Sequence, residues 1–157
     1  MTQMIKWLYL VTLAVWVGSI IFYSAVVART LHRVLKPDDA AALARRLFPQ
    51  YYLFQLLCAA SSIVCLGLLL ADRAFAKWPG ILSLLLVGSM GATVFWLRQT
   101  VVPQMNELRD RRAATPQPDP ALDREWKELH RLTVQLNAAV LLCGLALLFL
   151  VVYARVA

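Results

Sequence analysis

The sequence predicts an all-α integral membrane protein, a four-helix bundle whose third and fourth spans extend into the cytoplasm. Apolar residues make up 61% of the 157 residues, whereas a typical soluble domain reaches about 45–50% even with glycine counted. Charged residues make up only 16%, and a soluble fold of this size exposes too much surface to hide such a composition. These observations exclude a soluble enzyme, a disordered chain and a disulfide scaffold, and they fit a single domain.

Four apolar runs are each long enough to cross a hydrocarbon core, which takes about 20 helical residues. They cover residues 5–28, 50–71, 79–97 and 132–153. The first run is longer than the apolar region of a signal peptide and lacks an A-x-A-like exit, so it is interpreted as a span. Because backbone polar groups find no partner in lipid, all four runs are expected to be helices.

Helices are also expected outside the bilayer. An amphipathic helix over residues 38–48, stopped by Pro49, is expected to lie in the membrane interface. Asp119-Pro120 is typical of an N-cap followed by proline in the first turn, so the last helix begins well before its apolar run. The third span is expected to continue past a bend at Pro103. Residues 113–119 then form a cytoplasmic loop that joins two antiparallel helical extensions.

The distribution of basic residues predicts the orientation. The segments before the first span, between the second and third, and after the fourth hold 4 Lys and Arg, while the other two loops hold 12. Because Lys and Arg collect in cytoplasmic loops, both termini are expected outside the cytoplasm. The net charge of +7 thus reflects topology, and no nucleic-acid partner is expected. The expected partners are the lipid bilayer and anionic lipid headgroups on the cytoplasmic side. A homo-oligomer and a protein partner stay open.

Polar residues gather in the cytoplasmic half of the spans, where each needs a protein partner or water. His130, Thr133 and Asn137 are spaced to share one face of the fourth helix. Cys58 and Ser61 of the second span complete a candidate intramembrane polar site. This pattern fits an interhelical hydrogen bond that fixes packing. It also fits a ligand or ion cavity that opens to the cytoplasm.

The two histidines raise the question of a metal or haem site. His32 follows the first span and His130 precedes the fourth, so both lie near the cytoplasmic interface, where they could share a haem or metal ion. No carboxylate accompanies them inside the membrane, and the sequence contains no nucleophile motif, phosphate loop or carboxylate pair. We therefore expect no catalytic residue, no metal site and no cofactor. A haem-linked or metal-linked redox protein is kept as the weaker alternative.

Three segments together resemble the transmembrane protein 205 family, whose bacterial members are known as domain of unknown function 4149. They are residues 16–28, Leu47-Phe-Pro-Gln-Tyr51, and residues 129–137 with the pattern His-x-x-Thr-x-x-x-Asn. The resemblance implies a four-helix protein, placed in a bacterial inner membrane. It also marks family-pattern positions, which are Pro49, Tyr51, His130, Thr133 and Asn137. Arg29 stands where many relatives have proline, and the family implies no reaction.

Two classes of function follow. The first is a small non-enzymatic protein that binds or moves a ligand or ion through a polar cavity around Thr133 and Asn137. The second is a non-catalytic scaffold whose paired cytoplasmic helices and basic loops bind a partner or lipid. The first class is the main hypothesis, and the scaffold is the alternative.

Overall fold

The computed structural model describes residues 1–73, 77–115 and 119–156, without the side chains of residues 32 and 152–156. Every regular element in these ranges is helical, which confirms the all-α class. In chain order they are α1 (Thr2–Phe22), a π-helical turn (Tyr23–Val27), α2 (Ala28–Val34), α3 (Pro37–Ala71), α4 (Lys77–Trp96), a second π-helical turn (Leu97–Val101), α5 (Val102–Ala114) and α6 (Pro120–Val156).

The chain forms four long rods. The first rod is α1, its π-helical turn and α2; the second is α3; the third is α4, its π-helical turn and α5; and the fourth is α6. Each contains an apolar stretch long enough to cross a membrane. The first rod packs on α3, α3 on α4, α4 on α6, and α6 back on α1, which closes a four-helix bundle.

The bundle has a buried core and an apolar outer surface. Trp16 and Leu66 are completely buried in the core. On the outside, Leu85 and Leu142 are each 66% exposed, and Phe149 is 67% exposed. Such an outer surface is costly in water but matches the hydrocarbon of a bilayer. The fold is therefore that of an integral membrane protein.

Three rods extend beyond the apolar spans at one end of the bundle, called here the polar end (residues 37–48, 102–114 and 120–131). Arg45 of α3 forms an ion pair with Asp110 of α5. Arg112 of α5 lies 2.7 Å from an Asp123 carboxylate oxygen of α6. These exposed pairs are each worth little, but they show that α5 packs on α3 as well as on α6.

Pro49 lies inside a helix, and the prediction that it would end one is wrong. The segment 38–48 is the beginning of α3, which runs unbroken from Pro37 to Ala71. Proline removes one hydrogen bond from a helix and crowds the preceding turn. Tertiary contacts offset this, because Ala40 and Ala44 are buried and the segment pairs with α5. It is therefore not a separate interfacial helix.

The helix ends and irregularities show two further effects of local sequence. The predicted N-cap of α6 is confirmed, because the Ala121 N–H donates to Asp119 Oδ1 at 2.8 Å. Near Pro103 the third rod contains the π-helical turn Leu97–Val101. The wider turn relieves the crowding that the proline ring imposes on the carbonyl four residues earlier. The π-helical turn Tyr23–Val27 contains no proline.

A candidate ligand cavity between the first rod and α6

A cavity of about 620 Å³ lies between the first rod and α6 and extends towards the polar end. Its volume falls in the range of about 300–1,000 Å³ that is typical of small-molecule sites. From His130 to Leu141 it follows α6 over roughly 16 Å at 1.5 Å per residue. Its apolar and aromatic wall is formed by Ile20, Tyr23, Ala28, Phe48, Tyr51, Met105, Val134, Ala138 and Leu141. Its polar groups come from Ser24, Arg29, Arg33, His130, Thr133 and Asn137.

The structure brings together the residues singled out on the fourth span. His130, Thr133 and Asn137 all line this cavity, and so does Tyr51 from α3. Thr133 is buried, and its hydroxyl donates to the Leu129 carbonyl at 2.9 Å. The cavity is more apolar than the sequence suggested. Its polar groups are few and placed among hydrocarbon, as in most small-molecule sites.

Asn137 connects the cavity wall to the neighbouring helix. Its Nδ2 donates to the Tyr52 hydroxyl at 3.0 Å and to the Thr133 carbonyl at 3.0 Å. The first bond joins α6 to α3, as the packing interpretation expects. Its Oδ1 is buried and accepts no hydrogen bond from any residue in the described ranges. A buried acceptor without a donor costs about 1–3 kcal/mol, so Asn137 retains hydrogen-bonding capacity after packing is satisfied.

Aromatic rings form the α3 side of the cavity. The Tyr23 ring stacks on Tyr51 with centroids 4.2 Å apart, and Phe48 lies 5.5 Å from Tyr23. Tyr52 is completely buried behind them, 5.2 Å from Tyr51. Sequence reasoning identified Tyr51 but missed Tyr23, Phe48 and Tyr52. The signal was available on α3, where positions 48, 51 and 52 share one helical face. The partner Tyr23 comes from the first rod and is set by tertiary packing.

Cys58, Ser61 and Pro49 lie outside the cavity wall. Cys58 is buried in the bundle core. The Ser61 hydroxyl oxygen lies 3.4 Å from that of Thr12, between α3 and α1. The Pro49 carbonyl accepts a long hydrogen bond, 3.5 Å, from Arg98 Nε of the third rod. The five-residue polar site predicted from the sequence is therefore divided. Its α6 residues share the cavity, and its α3 residues stabilise helix contacts.

Gln55 is a buried polar residue that the sequence interpretation overlooked. Its Oε1 accepts a hydrogen bond from Trp16 Nε1 at 3.1 Å, and both side chains are completely buried. Its Nε2 has no hydrogen-bond partner within the described part of the chain. An amide inside the apolar run 50–71 was the signal that could have revealed it. The pair joins α1 to α3 one helical turn from the aromatic wall.

His130 belongs to a stacked group at the polar end. Its ring lies 5.0 Å from Trp126 and is nearly parallel to it. The Arg112 guanidinium lies 5.3 Å from the Trp126 ring, a cation–π geometry. No three His, Cys, Asp or Glu side chains among the described residues are placed to hold a metal ion. The side chain of His32 lies outside the described residues, so the shared-ligand hypothesis stays a prediction.

Positive charge dominates the polar end of the cavity. Arg29 and Arg33 are four residues apart on the same helix, and both line the cavity. No Asp or Glu is found among the lining residues that the structure describes. Neither arginine forms an ion pair with a described carboxylate. The cavity is therefore apolar along its depth and cationic at one end.

Comparison with known proteins assigns the family. The family model described as "Domain of unknown function (DUF4149)" matches residues 11–114, about two thirds of the chain. The chain belongs to the DUF4149 family. No curated protein and no solved structure matches it. The DUF4149 match includes the first rod from Val11 onward and all of α3, with Arg29, Arg33 and Tyr51, whereas the α6 wall lies beyond it.

Proposed function

We propose that this DUF4149 protein is a non-enzymatic membrane protein that binds a small ligand in the cavity between the first rod and α6. The observation that carries the proposal is the cavity itself. About 620 Å³ of space is lined by hydrocarbon along its depth and by Arg29, Arg33 and His130 at one end. This space is partly open at the bundle surface, and its size and mainly apolar lining with a few polar groups are those of small-molecule sites.

Asn137 holds the cavity wall in place. Its Nδ2 bonds to Tyr52 of α3, and its side chain lines the cavity. Its Oδ1 is buried without a donor among the described residues, as is Gln55 Nε2 in the bundle core. Support for a ligand therefore comes from the cavity and its charged end, and Asn137 contributes the helix contact that keeps the wall in position.

The polar end is proposed to face the cytoplasm of a bacterial cell, with both termini outside the inner membrane. The support is the count of 12 Lys and Arg in the two loops at that end against 4 at the other. Alkaline phosphatase, which is active only outside the cytoplasm, tests the proposal. A fusion after Ala157 should be active and a fusion after Ala114 inactive, and the reverse pattern would overturn the orientation.

The binding proposal is tested by filling the cavity with a large side chain and measuring the mass of the protein with any bound molecule. Ala138 lines the cavity, whereas its neighbour Ala139 is exposed and does not. Native mass spectrometry of protein purified in mild detergent should show a bound molecule on the wild type and on Ala139→Phe. Ala138→Phe should lose it. Equal occupancy of the two variants, or a wild type without a bound molecule, would contradict the proposal.

Docking at the polar end is the second candidate function. A cleft of about 830 Å³ at the polar end is lined by four arginines, among them Arg109 and Arg112, and by several aspartates. In a deletion strain with a measurable defect, docking predicts rescue by Ala138→Phe and failure of Arg109→Gln/Arg112→Gln. Ligand binding in the cavity predicts the opposite pattern.

A further inference from the structure

We propose that the occupant of the cavity is a phospholipid with an anionic headgroup, taken sideways from the surrounding bilayer. This inference rests on the proposed function, because it names the ligand of the same cavity. It follows from three features, which are the direction in which the cavity opens, its apolar depth and the charge at its end.

The cavity opens towards the lipid. The cavity is partly open at the surface, and Ser24, Val134 and Ala138 line it and are exposed. Ser24 lies in the first candidate span, Thr2–Leu31, and the other two lie in the fourth, Pro120–Val151. An opening at these positions is in contact with acyl chains, so the ligand can enter without crossing the aqueous phase.

The depth of the cavity fits an acyl chain. Ile20 and Leu141 lie farthest from the polar end among its lining residues, and the aromatic rings of Tyr23 and Tyr51 form one side. An empty space here would lose dispersion contacts on every wall. Water would find few partners in it, since a buried water needs two to four polar groups. A hydrocarbon chain from the bilayer fills the space at no polar desolvation cost.

The charge at the end of the cavity selects the headgroup. Arg29 and Arg33 lie one helical turn apart, just where the first span ends and the lipid headgroups begin. Neither has a carboxylate partner in the described chain. Guanidinium groups bind phosphate oxygens in bidentate geometry, and a headgroup without a cation leaves the phosphate charge uncompensated for the two arginines. A neutral apolar ligand would leave both arginines unused, and a small soluble anion would leave the apolar depth empty.

The test uses delipidated full-length protein in a non-ionic detergent and two lipids with identical acyl chains. Phosphatidylglycerol carries a net negative charge and phosphatidylcholine does not. Native mass spectrometry should show that the wild type binds phosphatidylglycerol about tenfold more tightly, because both lipids carry the same phosphate and only phosphatidylcholine adds a quaternary ammonium that the two arginines repel. Arg29→Gln/Arg33→Gln should lose this preference. The matched control Arg124→Gln/Arg131→Gln, which removes two exposed charges of α6 outside the cavity, should keep it.

The possible outcomes distinguish an error about the ligand from an error about the binding cavity. Equal binding of the two lipids, with Ala138→Phe still blocking both, would overturn the anionic lipid and leave the binding cavity standing. Phosphatidylglycerol binding that Ala138→Phe does not reduce would place the lipid elsewhere and overturn the inference. Displacement of phosphatidylglycerol by millimolar inorganic phosphate would identify a free anion as the ligand. Circular dichroism of each variant verifies that it is folded.

Discussion

Gly144 of α6 permits the close approach of α1 about one helical turn beyond the end of the cavity at Ile20 and Leu141, and replacing it by alanine should separate the two helices. A Cβ at position 144 would lie 2.6 Å from Val17 Cγ2 and 3.5 Å from Met90 Cε. Carbon atoms in contact ordinarily lie about 3.5–4.0 Å apart, so Val17 would have to move by about 1 Å. Val17 is buried, and a β-branched side chain in a helix has one strongly preferred rotamer. The strain therefore falls on the α1–α6 packing.

The expected loss of stability follows from two opposing effects. Overpacking a well-packed core costs about 1–3 kcal/mol, and replacing a helical glycine by alanine gains about 0.5–1 kcal/mol. Gly144→Ala should therefore lose up to roughly 2.5 kcal/mol of unfolding free energy, with a midpoint of about 1.3 kcal/mol. Gly88→Ala is the matched control, because beyond its own turn of helix no atom of the described residues lies within 4 Å of the new Cβ, and it should gain about 0.5–1 kcal/mol.

The assay is reversible unfolding in mixed micelles, in which SDS is titrated and helix content is followed by circular dichroism. Gly144→Ala should unfold at a lower SDS fraction than the wild type, and Gly88→Ala at an equal or higher fraction. If Gly144→Ala were as stable as Gly88→Ala, the close packing of Gly144 on Val17 would be refuted.

Three further predictions concern named contacts. A double-mutant cycle of Asn137→Ala and Tyr52→Phe, measured by SDS unfolding, should give a coupling energy of about 0.6 kcal/mol and at most roughly 1.7 kcal/mol. A cycle without coupling would mean that the hydrogen bond between α6 and α3 is absent. Asp119→Ala removes the N-cap of α6 and should lower the free energy of unfolding by about 0.5–2 kcal/mol. Hydrogen exchange of the first turn of α6 should become faster, and unchanged exchange would argue against the cap. Asp110→Asn breaks an exposed ion pair with Arg45 and should lower the free energy of unfolding by less than about 1 kcal/mol at low salt. A larger loss of unfolding free energy that persists in 1 M salt would show that the pair is buried.

Local patterns predicted the helices well because membrane spans obey a strong local rule. Each backbone polar group in lipid must be satisfied within its own helix, so apolar length alone located the four rods. The N-cap at Asp119 was likewise predicted, since capping depends on one side chain and the N–H groups next to it. The membrane class followed from composition, because too few polar residues are available to cover a soluble surface.

Pro49 marks the limit of that reasoning. Its local effect is to weaken a helix, and the sequence interpretation stopped a helix there. Residues 37–48 continue into α3 and meet α5 through the Arg45–Asp110 pair, some sixty residues away along the chain. A local pattern contains no information about such a partner.

The candidate site shows the same division. Helical periodicity places residues three and four apart on one side of a helix, so the shared face of His130, Thr133 and Asn137 could be predicted from their spacing. The residues opposite that face are set by the packing of the helices. This packing brings Tyr23, Arg29 and Arg33 of the first rod opposite α6, and it places Cys58 and Ser61 in other contacts. A cavity is a property of the space between helices, and that space depends on crossing angles and on close contacts such as Gly144 on Val17, which are set by packing across the whole bundle.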